Sequence, residues 1–360
     1  MHRYAVTTLA RVEATSDSEV LQAQPFDMVR ILDADDVRSV VDLERLLPLI
    51  EDAFAKQYVG AVERPDRPHY SIGVGRGDDP ERPTGTGLCM PAYVHGSPYV
   101  ATKLATVFEG NADRGLATVT AQIALDDADT GLPVAYLDGT TITSARTGCI
   151  GGVGARALGP DGPVRLAVFG AGTQARWQTR AIDAATDLES VRIYAPSDSR
   201  ERCAADLEGE LEDVAVSAVA SPAAALEGAN VVVTATTSTE PVFDGDDLEP
   251  ESLVVAVGAY TAEMRELDDR TIERAACVYA DVPAEARGTG DLCHHSDLEL
   301  EALGRVFATD EAVETASTVS TGSADVVVLS SVGTAVLDAV TAADVYDRAR
   351  ELGLGVDVSL

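Results

Sequence analysis

With 360 residues, 46% apolar content and 30 glycines, the chain is long enough for about two globular domains and too apolar to remain a disordered polymer. Its 60 Asp and Glu against 27 Lys and Arg give a formal charge of −33 and a sequence pI near 4.3, a field that repels nucleic acid and anionic membranes. No apolar run is long enough to cross a bilayer and no signal peptide is evident, so a cytoplasmic location is expected.

The acidic residues are scattered, as in DADD at 33–36 and EGELED at 208–213, and describe a carboxylate-coated globule. Lys56 and Lys103 are the two lysines, every other basic residue being Arg. That composition resembles proteins of salt-loving microbes, in which screening relieves self-repulsion. Cysteines 89, 149, 203, 277 and 293 are odd in number and widely spaced, and read as reduced thiols. His294 and His295 beside Cys293 lack further spaced ligands and read as a polar loop, so no metal is expected.

Residues 1–27 lack a clear period and are expected to be a disordered extension or the product of a misplaced start. Met28 opens a short strand followed by amphipathic helix, with Val37, Val40, Val41, Leu46 and Ile50 near helical spacing. From Val59 to Pro91 the chain is rich in proline and glycine and reads as loop. Alternating stretches at Tyr99–Val107, Ala117–Asp126 and Pro133–Asp138, with turns between them, predict an antiparallel sheet. Thr140–Leu158 predicts a helix rich in small residues, and GPDGP at 159–163 marks a boundary.

Val164–Ala175, VRLAVFGAGTQA, is an apolar run, a glycine turn and a helix start. Gly170 makes the tight turn, Gly172 lets a pyrophosphate approach the backbone, and small Ala175 permits helix–strand packing. Helix-start N–H groups then face the phosphates. A tight turn in any α/β protein reads the same way, and the following units distinguish the two. Strands at Val191–Tyr194, Asn230–Thr236, Leu253–Ala259 and Cys277–Ala280 alternate with helical or turn segments, as a doubly wound parallel sheet requires. A polar linker at 310–325 leads to Val326–Ser331 and a helix from Thr334 through Leu352, expected to pack back on the first domain. The fold class is therefore α/β. It comprises a Rossmann nucleotide domain at 159–325 and an α+β domain at 28–158 completed by 326–360.

Lys103 lies among apolar neighbours in ATKLATVF, in a chain that has nearly abandoned lysine. Either it blocks a sheet edge, or it is a buried ammonium with an anionic partner or a catalytic duty. Arg146 in SART offers a planar fork for a carboxylate. Arg67 in RPDRPH is a third candidate, although loop arginines commonly face solvent. Together they suggest a site for an amino or keto acid.

The run KLATVFEGNADRGLATVTAQIALDDADTGLPVAYLDGTTITSARTG, followed by VFGAGTQA, closely resembles the ornithine cyclodeaminase/mu-crystallin family. AVGAYTAEMRELDD at 256–269, GDL at 290–292 and the segment at 330–355 extend the resemblance over nearly all of 28–360. The resemblance implies a homodimer built through the substrate domain, NAD(H) or NADP(H) as cofactor, and a small α-amino or α-imino acid as substrate. It implies that Lys103 and Arg146 clamp the substrate carboxylate and polarise the reacting centre, with Arg67 as a further contact. Thr118, Thr173, Gln174, Thr236 and Ser331 fall on cofactor contacts, with Gly170, Gly172, Val257 and Gly258 beside them, and Val332 falls on a substrate contact.

Two departures bear on the reaction. Cyclodeaminases carry an aspartate where this chain has Tyr260, and a phenol is a poor base near neutrality. They also carry a glutamate where this chain has Leu88. Tyr260 is thus expected to line the substrate side without serving as that base. Hydride transfer, as in alanine dehydrogenases or cyclic ketimine reductases, is the expected reaction. Ornithine cyclodeamination and non-catalytic nucleotide binding are the alternatives. Strand Val191–Tyr194 is followed by Ala195, Pro196 and Ser197, and Asp198 comes late for the ribose. Ser197 and Arg200 instead suit a 2′-phosphate, or merely begin a capped helix. The lean is to NADP(H).

Overall fold

The computed structural model describes residues 28–76, 79–308 and 326–359. The expected extension at 1–27 and the linker expected at 310–325 lie outside them. Two eight-stranded sheets organise these residues.

The first sheet runs in the order Val356–Ser359, Met28–Leu32, Pro133–Asp138, Val119–Asp127, Tyr99–Val107, Gly85–Val94 and Val62–Glu63, with His69–Ile72 also paired to Gly85–Val94. It is antiparallel except where Met28–Leu32 runs parallel to Pro133–Asp138. The strand alternation decides where Lys103 goes. Tyr99, Ala101, Lys103 and Ala105 point inward and are buried, whereas Leu104 is 43% exposed. Helix Ala335–Leu352 covers that inner face, and helix Gly139–Leu158 lies against Val119–Asp127. The stretch expected as loop between Val59 and Pro91 in fact supplies three strands of this sheet.

The second sheet is parallel throughout, ordered Ala215–Ala218, Leu188–Tyr194, Val164–Phe169, Val231–Thr234, Leu253–Ala256, Val326–Ser330, Ala275–Ala280 and Glu301–Ala302. The chain winds outward both ways from Val164–Phe169, so a crevice opens where the order reverses, beside Val231–Thr234. Val231–Thr234 and Leu253–Ala256 are buried at every residue, as strands covered on both faces must be. Val326–Ser330 corrects an expectation. Its position after the linker predicts a place in the first domain, but its apolar run is buried between Leu253–Ala256 and Ala275–Ala280. The helix after it and strand Val356–Ser359 return to the first sheet.

Helix Gly139–Leu158 packs closely on helix Thr173–Ala185, joining the two halves. A Cβ on Gly148 would stand 2.6 Å from the Trp177 carbonyl oxygen, so the small-residue composition is what lets the backbones meet.

Candidate active site

Lys103 meets its counter-charge at the start of the last long helix. Thr334 caps that helix by accepting from the Val336 N–H, which places Asp338 in its first turn, facing the first sheet. Lys103 Nζ donates to Asp338 Oδ2 at 2.5 Å, and Arg146 Nε donates to Asp338 Oδ1 at 2.9 Å. The Lys103 and Asp338 side chains are 3% and 1% exposed, and that of Arg146 is 6% exposed. Three charges are thus buried as a triad in which one carboxylate serves two cations. Burial lowers Lys103 to about 8; Asp338 opposes that shift and Arg146 adds to it. Burial pushes the Asp338 carboxyl upward, but the charges and hydrogen bonds of Arg146 and Lys103 outweigh it and hold the carboxyl below its ordinary value. Only Nε of Arg146 is spent on Asp338, so its two terminal nitrogens remain for a carboxylate.

Arg67 joins this cluster through the chain after Val326–Ser330. Its Nη1 donates to the Val332 carbonyl at 3.2 Å and its Nη2 to Glu285 Oε2 at 2.5 Å; Arg64 binds the other oxygen of Glu285. Buried Asp281 fixes the same turn, accepting from Ser331 Oγ at 2.7 Å, Val332 N at 3.1 Å and Gly333 N at 2.7 Å. Gly333 has φ +78°, and a Cβ there would fall 3.0 Å from Arg146 Nη1. Its bare backbone therefore lies against the guanidinium.

The glycine turn, Thr236, Val257, Gly258 and Ser331 all stand just beyond the carboxyl ends of parallel strands. Gly170 has φ +112°, and a Cβ on it would lie 2.5 Å from the Ala235 carbonyl oxygen. Helix Thr173–Ala185 starts on Gly172 with no side-chain cap, and the space around Gly172 is open to 4 Å. Gln174 Oε1 is buried without a hydrogen-bond partner among the described residues. An uncapped helix start, an open glycine and an orphaned side-chain oxygen fit a dinucleotide laid over this turn. Thr173, on the same first turn, is exposed.

Four expected contacts stand apart from the triad. Thr118 precedes strand Val119–Asp127, its carbonyl accepting from Phe108 N at 2.8 Å. The Tyr260 phenol is 41% exposed and makes no hydrogen bond among the described residues; burial, then the Glu109 carboxylate, raises its pKa, which suits no general base. Ser197 Oγ lies 2.8 Å from Ser199 Oγ, while Arg200 donates to the Ala195 carbonyl at 2.9 Å and pairs with Glu201 at 3.0 Å.

Asp338, Asp281, Glu285 and Glu266 were absent from the sequence reading. Asp338 carried a usable signal: it is an acid among the apolar residues Val336, Leu337, Ala339 and Ala342, the same anomaly that exposes Lys103. Among the described residues no helix is long and apolar enough to cross a membrane.

The model of the ornithine cyclodeaminase/mu-crystallin family matches residues 28–353. An alanine dehydrogenase of Archaeoglobus fulgidus is 28% identical over 332 residues, covering 90% of this chain and 96% of that protein. The ketimine reductase mu-crystallin of Mus musculus is 30% identical over 307 residues, covering 84% and 91%. The structure of Thermococcus litoralis Delta(1)-pyrroline-2-carboxylate reductase, in complex with NADH and L-proline, superposes with a TM-score of 0.80. It is 25% identical and is covered completely by 92% of this chain.

Proposed function

The chain belongs to the ornithine cyclodeaminase/mu-crystallin family, and from that premise we propose that it is an NAD(P)-dependent oxidoreductase of small α-amino and α-imino acids. The observation that carries this reading is the buried Lys103–Asp338–Arg146 triad joined to the turn at Ser331–Gly333.

Gly170, Gly172, Thr173, Gln174, Thr236, Gly258 and Ser331 would hold the dinucleotide, with Thr118 and Val257 alongside. When bound, it supplies or accepts a hydride at substrate C2. The terminal nitrogens of Arg146 hold the substrate carboxylate bidentately, with Arg67 and Val332 bordering it. Lys103, anchored by Asp338, passes a proton to the imine nitrogen directly or through a water, and its lowered pKa makes that transfer easier than from an ordinary ammonium. Tyr260, half-exposed and protonated, supplies no base for ornithine ring closure. The test is a substrate panel of cyclic imino acids, pyruvate plus ammonia, and ornithine, followed by nicotinamide absorbance. Net cofactor oxidation with an imino acid is expected. Ammonia release from ornithine without net redox change would make the protein a cyclodeaminase, and binding without turnover a crystallin-like carrier.

NADP(H) is the preferred cofactor in this reading, since Ala195, Pro196 and Ser197 follow strand Leu188–Tyr194 and the first acid, Asp198, comes late for the ribose. Ser197, Ser199 and Arg200 ring that end. Titration should give an affinity for NADPH about tenfold above that for NADH, worth ~1.4 kcal/mol. Equal affinities would remove the preference.

The outer face of the first sheet supports a homodimer. Cross-strand register aligns Pro91, Thr102, Ala124, Tyr136, Ile31 and Val356 in one row, of which Tyr136, Ile31 and Val356 are 38%, 37% and 66% exposed. A row apolar at every position but Thr102, in so acidic a chain, suits a second copy. Light scattering should return twice 37.6 kDa for the wild type and a monomer for Tyr136→Asp combined with Leu104→Asp.

The carboxylate coat supports the reading of a salt-adapted cytoplasmic protein, and the five free cysteines accord with it. Its Tm should rise on the order of 10 °C between dilute buffer and 1 M KCl, where the Debye length shrinks to about 3 Å. A flat or falling Tm would contradict the salt adaptation.

A further inference from the structure

Behind the cofactor edge of the parallel sheet lies a buried carboxylate that the proposed chemistry does not use. Glu266 is fully buried. Its Oε1 accepts from Thr236 N at 2.6 Å and Thr236 Oγ1 at 2.8 Å, and its Oε2 from Thr234 Oγ1 at 2.9 Å and Gly258 N at 2.8 Å. The Thr236 and Gly258 donors come from two different loops, one following Val231–Thr234 and one following Leu253–Ala256, and the fourth donor is Thr234 at the end of the first strand. Glu266 is itself held in place: Asp291, in the turn Gly290–Leu292, accepts from Glu266 N at 2.6 Å and Leu267 N at 2.7 Å. A Cβ on Gly258 would stand 2.4 Å from the Thr236 carbonyl oxygen and 2.5 Å from Glu266 Oε1, so the two loops and the carboxylate are in mutual contact.

We propose that Glu266 is a positioning residue that clamps the Thr236 and Gly258 loops into the shape that receives the cofactor. The inference rests on the dinucleotide site proposed above. Its physical basis is that no neutral isostere can replace the clamp. The two backbone N–H groups address opposite oxygens, so an amide nitrogen at either position meets a donor and releases one loop. An ionised carboxylate accepts all four donors, whereas a protonated one must turn a hydrogen towards one of them. Burial raises the Glu266 pKa to about 7, against the pull of its Thr236 bonds, with a smaller upward push from Asp291. Asp291 is the ionisable group facing it; that carboxyl is raised by burial and lowered by two backbone bonds and by Arg265 beside it.

The test is NADH binding by fluorescence, with NADH chosen because its diphosphate does not titrate near neutrality. Glu266→Gln is expected to weaken binding about tenfold. The wild-type Kd should tighten as pH rises through about 7, and the variant's should not respond. A merely structural role would lower the Tm of the ligand-free protein and leave the Kd of the folded fraction unchanged. Should Glu266→Gln fail to fold, Thr234→Val keeps the carboxylate, removes one donor and should weaken binding several-fold. A variant Kd within about twofold of the wild type, with the same pH response, overturns the assignment. Wild-type protein that binds neither NADH nor NADPH overturns the proposed function, and the clamp with it.

Discussion

Lys103→Met is expected to lower kcat/KM for imine reduction by about a thousandfold or more while the NADPH Kd stays near the wild-type value. Methionine fills the apolar slot between Ala101 and Ala105 but supplies neither proton nor charge. Wild-type kcat/KM for the reductive direction should fall as pH rises through about 8, because the protonated lysine is the working form and burial has lowered its pKa to that value. In the oxidative direction the neutral lysine is required, so the same profile should rise with pH. The variant's residual activity should be flat across this range. Steady-state kinetics over pH, with cofactor titration alongside, check all three statements, and a fully active variant would remove Lys103 from the mechanism.

Asp338→Ala is expected to cost about 3–5 kcal/mol of stability, since it strips the shared counter-charge from two buried cations. Lys103 can escape part of the penalty by releasing its proton; Arg146 cannot. The same variant should lose turnover, because the lysine is no longer anchored and no longer protonated at neutrality. Urea unfolding at unchanged m-value measures the stability loss. The folded pKa of Asp338 is depressed, so its contribution is full above the unfolded carboxyl value and is lost as pH falls through the folded one. The gap between the two proteins should therefore narrow in acid. A variant as stable as the wild type at neutral pH would show that the triad is not buried as described.

What could be read from the sequence follows from which signals local chemistry leaves in it. Tyr99–Val107 and Pro133–Asp138 were legible to the residue, because apolar and β-branched residues are concentrated there and turns bound both strands. Six of the eight parallel strands were legible as short apolar runs, whereas Ala215–Ala218 and Glu301–Ala302 were not. His69–Ile72 and Gly85–Val94 were not, because Gly85, Gly87 and Pro91 mimic loop chemistry. Gly87 is there for a tertiary reason: a Cβ on it would fall 2.3 Å from Tyr70 Cζ, a contact no local pattern announces. Val326–Ser330 was visible as a strand, but its sheet was not, since its partners are about seventy and fifty residues away.

Within the site, rarity decided what could be found. Lys103 stood out because this chain has two lysines, whereas Asp338, Asp281 and Glu266 were hidden among 60 acids. Their distinguishing property is burial, which the sequence discloses only as an acid set into an apolar stretch. The cofactor turn was legible because its requirement is local: a strand, a positive-φ glycine and an uncapped helix start are consecutive in the chain.

The central claim is that the Lys103–Asp338–Arg146 site carries out net hydride transfer to an α-imino acid. The most direct measurement supplies reduced cofactor with deuterium on the transferring face of nicotinamide C4 and follows the label through one turnover. The account predicts one deuterium at C2 of the amino acid product for each cofactor oxidised, and loss of that transfer in Lys103→Met. Ammonia released from a diamino acid, with the cofactor's redox state unchanged at the end and no imino acid reduced, would contradict it.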